Sequence, residues 1–256
     1  GPLTGPSARI GKDLENGARL AIADANAQKP TLNGKPVTFK LLSEDDQSDP
    51  RTAVAVAQRL VDEGVAGVVG HWNTGTSIPA ARIYHDAGIA QVAPVATGHG
   101  YTQQGFDTSF RVMGHDDDGG NYAGQYAVKT LKAQRIAVID DRTAFGQGLA
   151  DEFIKSLQAQ GVQPVTREYV DDKTVDFSAV LTTVRSKNAD LIFFGGVDSQ
   201  AAPLARKLKQ LGMNAQLMGA GGFVSQTFLT LAQREGEGVV ALEPGLPLEQ
   251  MPGGKA

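Results

Sequence analysis

Residues 135–150, RIAVIDDRTAFGQGLA, decide the fold class, because an apolar run leads at once into a polar, glycine-containing loop and then into a helical pattern. Residues 135–140 predict a buried strand, and the apolar spacing within 149–157 predicts a helix. Residues 191–211 repeat the same order. Strands that alternate with helices on this scale predict parallel sheets with helices on both faces, connected by right-handed crossovers.

The alternation extends over nearly the whole chain. In the first half we expect helices at 11–27, from Asp49-Pro50 to Glu63 and at 77–87, and strands at 37–44, 65–70 (covered on both faces), 89–95 and 110–112. After an acidic, glycine-rich joint at 115–120 we expect a helix at 121–130, strands at 135–140, 162–169, 191–194, 217–218 and 239–242, and helices between them. The pattern predicts an α/β protein with two Rossmann-like lobes, 1–115 and 116–243, joined by a hinge.

Composition excludes several classes of function. The 256 residues carry a net charge of −4 and are 41% hydrophobic. The 24 basic residues are dispersed along the sequence, so the charge pattern does not indicate a surface that binds nucleic acid. Cysteine is absent, and no apolar run approaches the roughly 20 residues of a membrane span. The four histidines lack metal-ligand spacing, and Asp116-Asp117-Asp118 fits a solvated hinge better than a calcium loop. Without a nucleophile elbow, a phosphate loop or a dinucleotide loop, we expect no enzyme, no metal and no cofactor.

Loops that follow strands are the places to look for a ligand site, because ligands bind at the C-terminal ends of parallel strands. Residues 70–77, GHWNTGTS, join a strand to a helix and put hydroxyl groups beside the unpaired N–H groups of the helix start. This predicts an anion cradle, although Thr76 or Ser77 could simply cap the helix. Further loops follow strands at 93–97, 140–146, 195–199 and 219–223.

Six segments carry a familiar pattern: GPLTGP at 1–6, NGARLAIADANA at 16–27, DDQSDPRTAVAVAQRLVDEGVAGVVGHWNTGTSIPAA at 45–81, APVAT at 93–97, RIAVIDDRTAFGQGLA at 135–150 and DFSAVLTTVRSKNADLIFFGGVD at 176–198. Together they resemble the substrate-binding proteins of branched-chain amino acid ABC transporters. The resemblance implies a type I periplasmic binding protein of the Venus-flytrap kind, located in the periplasm, which closes on a small ligand and delivers it to a membrane permease. Relative to that family, we expect a signal peptide and the first strand of lobe one to be missing, and 244–256 to begin the return crossover to lobe one.

The resemblance also implies which residues hold the ligand. Thr74 matches the hydroxyl residue that holds a ligand carboxylate, with Asn73 beside it. Val95 and Ala96 would contribute backbone, and Thr97 its hydroxyl, near the ligand ammonium. Phe145 and Asp198 lie where the family often has aromatic residues. Trp72 either packs on an apolar ligand tail or belongs to the core.

Gly221 is a departure from that pattern, because it stands where amino-acid binders commonly carry the acid that pairs with the ammonium. Since an unpaired buried ammonium costs several kcal/mol, either Asp198 or Asp116 supplies the charge or the ligand is not an α-amino acid. The leading hypothesis is a binder of leucine, isoleucine or valine. An aromatic carboxylate or amide is the alternative ligand, and a ligand-sensing regulator or a doubly wound enzyme is the alternative class.

Overall fold

The computed structural model describes residues 1–246 and 250–251, and the chain divides into two compact units, Gly1–Met113 and Gly114 onward. The sequence predicted a boundary at 115/116. Residues 247–249 and 252–256, most of the predicted return crossover, lie outside the described residues. Among the residues described, no helix is both long and apolar enough to cross a bilayer.

Unit one contains three helices and a small parallel sheet. Its elements are α1 Ala8–Ala27, the antiparallel hairpin β1 Thr31–Leu32 and β2 Lys35–Pro36, α2 Pro50–Asp62, β3 Val68–Val69, α3 Thr74–Asp86, β4 Gln91–Ala93, a 3-10 helix at His99–Gln104 and β5 Ser109–Arg111. The sheet runs in the order β3-β4-β5. Its main core joins α2 and α3 to the sheet through Val56, Leu60, Val68, Ala80 and Tyr84.

The start of α2 confirms a sequence prediction. Asp49 is the N-cap, its carboxylate accepts a hydrogen bond from the Thr52 N–H at 2.7 Å, and Pro50 occupies the first helical position. This combination satisfies one orphan N–H and places proline where it loses no hydrogen bond.

Two strand predictions in unit one are wrong. Residues 37–44 form no strand: Phe39 is 46% exposed, and its backbone N–H and C=O bond to the Asn26 side chain at 2.8 and 2.9 Å. Residues 65–70 yield only the two-residue β3, where Val69 is 66% exposed rather than covered on both faces. An apolar run becomes a strand only where a neighbouring strand supplies backbone partners, and β3 has one such neighbour among the described residues.

Unit two is a five-stranded parallel sheet in the order β10-β9-β8-β6-β7. Its elements are α4 Asp116–Lys129, β6 Ile136–Asp140, α5 Ala144–Ala159, β7 Thr166–Tyr169, α6 Ser178–Ser186, β8 Leu191–Gly195, α7 Asp198–Gln210, β9 Gln216–Gly219, α8 Gln226–Ala232 and β10 Val240–Ala241, with 3-10 turns at Gly221–Phe223 and Gln233–Gly236. Every residue of β6 and β8 is buried. The predicted α/β class with parallel sheets is confirmed.

Alternate residues of β8 face opposite layers of the core. Phe194 packs in the layer that holds Phe177 and Phe223, and Phe193 packs in the layer that holds Phe153. The Phe153 and Phe193 rings stack with centroids 3.8 Å apart. Apolar side chains on both faces explain the continuous apolar run in the sequence.

The acidic stretch at 115–120 is already helical, whereas the sequence predicted that the helix would begin at 121. Helix α4 begins at Asp116, which is buried, and carries all three aspartates in its first turn, where carboxylates are favoured by the helix dipole. A Cβ on Gly120 would lie 2.6 Å from the Cβ of Glu152, and one on Gly124 would lie 2.6 Å from that of Ser156. These glycines are therefore the surface on which α4 packs against α5.

Candidate functional site

Thr74 stands at the first position of α3, directly after the loop that follows β3. It is 2% exposed, and its hydroxyl accepts a hydrogen bond from the Gly98 N–H at 3.0 Å. A Cβ on Gly98 would meet the Thr74 methyl at 2.3 Å, so only glycine permits this approach. The structure thus brings two of the predicted loops together within unit one, the loop at 70–77 and the loop after β4.

The helix start beside Thr74 has no side-chain cap. Asn73 is the N-cap residue, but its side chain makes no capping bond, and its buried Oδ1 has no hydrogen-bond partner. Thr76 and Ser77 lie inside the helix and donate instead to the carbonyls of Asn73 and His71, at 3.0 and 3.3 Å. The capping alternative for these two residues is therefore wrong, and the Asn73 side chain does not cap the first turn either.

Arg111 organises the neighbouring loop and was missed from the sequence. Its guanidinium donates to the carbonyls of Ala96 and Gly98 at 3.2 and 3.0 Å, and also to the Thr102 hydroxyl. Arg111 pairs with Ala93 in the register of β5 on β4, which directs it at the loop that follows β4. Val95 and Thr97 are half-buried in this loop, and Ala96 is 1% exposed.

A buried polar network holds the other loop, at 70–77, through His71. His71 Nδ1 lies 2.6 Å from Asp46 Oδ2, and His71 Nε2 lies 3.2 Å from the Tyr84 hydroxyl. Burial opposes ionisation of Asp46, but the His71 hydrogen bond and nearby positive charge hold its pKa below the usual value. Burial raises the pKa of Tyr84. His71 is thus a structural residue, held by hydrogen bonds at both of its ring nitrogens.

Trp72 is 8% exposed and lines a groove in unit one with residues of α1, the segment 41–44 and Val69. Its placement fits the core role that the sequence left open. The packing of Trp72 on a ligand tail stays a prediction.

Unit two places its predicted residues on three helix starts and one turn. Asp116 is buried in the first turn of α4, and Phe145 is half-buried near the start of α5. Asp198 opens α7, and Gly221 opens the 3-10 turn after β9. The loops after β8 and β9 meet, since a Cβ on Gly222 would lie 3.2 Å from Val197.

Most acids at the C-terminal edge of this sheet have hydrogen-bond partners. Asp198 accepts from the Ser225 hydroxyl at 2.5 Å and from the Ser199 N–H at 2.8 Å. Asp140 pairs with Arg167 at 2.9 Å. Burial raises the pKa of Asp141 to about 6, although the hydroxyl and the N–H of Thr143 both donate to it.

Comparisons with known proteins agree with this architecture. The family model of periplasmic binding proteins matches residues 1–256, so the chain belongs to that family. An amino acid binding protein of Pseudomonas aeruginosa is 40% identical over 233 residues, which are 91% of this chain and 62% of that protein. The Leu/Ile/Val-binding protein homolog 1 of Brucella abortus is 37% identical over 231 residues, 90% of this chain and 62% of its own length.

A solved structure gives the same result. The branched-chain amino acid transporter substrate binding protein of Streptococcus pneumoniae, in complex with isoleucine, aligns with a TM-score of 0.80 at 26% identity, over 90% of this chain and 65% of that one. The predicted type I periplasmic binding fold is confirmed. The chain spans about three fifths of the length of the curated relatives it matches. The family consists of solute-binding proteins rather than enzymes.

Proposed function

We propose that this chain belongs to an extracytoplasmic solute-binding protein of an ABC importer, and that its ligand is a branched-chain or other hydrophobic amino acid. The observation that carries the ligand class is the start of α3. There the Thr74 hydroxyl lies at a helix start that has no side-chain cap, next to Asn73, whose buried Oδ1 has no hydrogen-bond partner. A helix start with free N–H groups favours an anion, here the ligand carboxylate.

The relatives support the same ligand class. Those named above are an amino acid binding protein, a Leu/Ile/Val-binding protein homolog and a protein solved with isoleucine. By extension, the residues proposed to contact the ligand are Trp72, Asn73, Thr74, Val95, Ala96 and Thr97 in unit one and Asp116, Phe145, Asp198 and Gly221 in unit two.

The first test removes the hydroxyls of the carboxylate site. We expect Thr74→Val combined with Thr97→Ala to weaken L-leucine binding at least 100-fold in calorimetry, because the charge-assisted hydrogen bonds to the carboxylate are lost. Thr52→Val is the matched control: it removes a hydroxyl from the first turn of α2 that bonds only to Asp49. Undiminished affinity in the double variant, with the fold intact by circular dichroism, would contradict the site.

Periplasmic location and delivery to a permease are also proposals, supported by the family. Uptake of labelled leucine by cells lacking the gene should fall and return when the wild-type protein is restored. Restoration by the Thr74→Val/Thr97→Ala variant as well would count against delivery of this ligand.

An aromatic carboxylate is the second candidate ligand, favoured by the absence of an acid at Gly221. Benzoate in the same calorimeter separates the two ligand classes. Tighter binding of benzoate than of L-leucine would favour the aromatic acid.

A further inference from the structure

Arg111 ends β5 and reaches the loop that follows the neighbouring strand β4. It pairs with Ala93 in the register of the two strands. Its Nη1 donates to two carbonyls, that of Ala96 at 3.2 Å and that of Gly98 at 3.0 Å. Its Nη2 donates to the Thr102 hydroxyl at 3.0 Å. One guanidinium thus holds the backbone of the loop at two points and ties it to the 3-10 helix that follows.

The two carbonyls flank the peptide unit that carries the Gly98 N–H. The Ala96 carbonyl belongs to the peptide before this unit and the Gly98 carbonyl to the peptide after it, and each peptide is planar. The Gly98 carbonyl also accepts a hydrogen bond from the Tyr101 N–H at 3.1 Å. Holding both neighbours restricts the middle peptide, whose N–H donates to the Thr74 hydroxyl at 3.0 Å.

The bond from Gly98 sets the role of the Thr74 hydroxyl. A hydroxyl has one hydrogen and two lone pairs, and the Gly98 N–H occupies one of the lone pairs. No described residue accepts the hydrogen of this hydroxyl in a hydrogen bond. Thr74 is 2% exposed, and a Cβ on Gly98 would lie 2.3 Å from its methyl carbon, so the loop leaves the side chain little space to turn. The hydroxyl is therefore held as a donor, which is the role that a ligand carboxylate requires.

We propose that Arg111 is a positioning residue for the ligand carboxylate. Its guanidinium holds the Ala96 and Gly98 carbonyls, the Gly98 N–H then occupies a lone pair of Thr74, and the Thr74 hydroxyl keeps its hydrogen for the carboxylate. Arg111 acts through the loop backbone and does not itself touch the ligand. Groups that bind a ligand depend on such supporting hydrogen bonds for their geometry. This inference rests on the proposed function, because it needs a carboxylate that contacts Thr74.

A double-mutant cycle on L-leucine binding, in the full-length protein, tests whether Arg111 acts through Thr74. Arg111→Met removes the guanidinium but keeps an apolar stem, and it should weaken binding about tenfold or more in calorimetry. In the Thr74→Val background the same change should weaken binding less than about threefold, because the hydroxyl that Arg111 positions is already absent. Arg82→Met is the matched control: Arg82 lies at the surface of α3, pairs with Asp86, and should leave the affinity unchanged in both backgrounds.

Amide hydrogen exchange in the ligand-free protein gives a readout that does not depend on any ligand. Arg111→Met should lower the protection of the Gly98 N–H about tenfold or more, measured by NMR, because the loop backbone is released. The N–H of Ala53, which is buried in α2 and bonds to the Asp49 carbonyl, should keep its protection.

Arg111→Lys separates the geometry of the guanidinium from its charge. Lysine keeps the positive charge but lacks the planar pair of donors, so this variant should weaken L-leucine binding about fivefold or more and also lower the protection of Gly98. If Arg111→Met loses the fold, with Ala53 unprotected as well, Arg111→Lys takes its place in the cycle and in the exchange measurement.

Some results would overturn the role of Arg111 and leave the proposed function standing. They are an equal loss of affinity with and without the Thr74 hydroxyl, wild-type affinity in Arg111→Lys, and unchanged protection of the Gly98 N–H in Arg111→Met. Wild-type affinity for L-leucine in Thr74→Val alone would instead overturn the carboxylate site of the proposed function, and the role of Arg111 with it.

Discussion

Both units alternate strands with helices, but their sheets differ in strand length and burial. In unit two, β6 and β8 are five residues long and entirely buried between two aromatic layers. In unit one, the strands are two or three residues long, and Val69 and Phe110 are 66% and 50% exposed. Polar contacts position the candidate loops of unit one instead, namely the Asp46–His71–Tyr84 network and the Arg111 guanidinium. A loop that follows a strand can thus be positioned by a hydrophobic sheet or by a few buried polar side chains.

The largest expected effect is a core truncation in unit two. Phe193→Ala removes a ring stacked on Phe153 and should destabilise unit two by about 3–5 kcal/mol. Urea unfolding followed by circular dichroism measures the loss, and the single tryptophan, Trp72, reports on unit one by fluorescence in the same titration. Val69→Ala, at an exposed strand residue of unit one, should cost about 0.5 kcal/mol or less. Equal losses of unfolding free energy in the two variants would contradict the stated difference between the sheets.

Removing one side chain of the Asp46–His71–Tyr84 network should lower the stability of unit one selectively. Asp46→Ala leaves the buried Nδ1 of His71 without its partner and should lower the stability of unit one by about 3 kcal/mol, seen in the Trp72 transition. The pKa of Asp46 is lowered in the folded state, so its contribution is present above the usual value of 3.8 and disappears as pH falls through the folded pKa. The difference between wild type and variant should therefore shrink in acid. Asp62→Ala, at an exposed helix position, should leave the Trp72 transition in place.

The smallest expected effect is a pH-dependent one in unit two. Burial raises the pKa of Asp141 from 3.8 to about 6, so unfolding releases a proton between these values and stability falls as pH rises through them. Asp141→Asn keeps an acceptor for Thr143 and removes the charge, so it should stabilise unit two by about 2 kcal/mol at pH 8. At pH 4 the gain should nearly vanish. A gain that is independent of pH would show that Asp141 carries no such cost.

Much of the architecture could be predicted from local sequence. Residues 135–140 and 191–194 are apolar on both faces, and Asp49-Pro50 carries the chemistry of a helix start, so these elements were placed correctly. The hairpin β1–β2 was not predicted, although Asn33-Gly34 has the positive φ angles of a tight hairpin turn, 52° and 77°. Segment 37–44 was wrongly predicted as a strand, and the start of α4 was predicted at 121 instead of 116, because strand partners and the α4–α5 contact come from distant parts of the chain.

The candidate site could also be predicted only in part. Thr74 and the loop at 93–97 were proposed from the sequence because they follow strands and resemble a family pattern, and their contact with a ligand stays a prediction. Arg111 was missed, because strand register brings it to a loop 13 to 15 residues earlier in the chain. Tertiary structure also decided that Thr76 and Ser77 bond inward to carbonyls.

By itself, the sequence determined the α/β class, the alternation of strands and helices and the loops that could hold a ligand, because hydrophobic period and helix-start chemistry act over a few residues. Only the tertiary structure decided which apolar runs gained a strand partner, which hydroxyls remained available and which acids gained a partner. Those outcomes depend on contacts between residues that are far apart in the sequence.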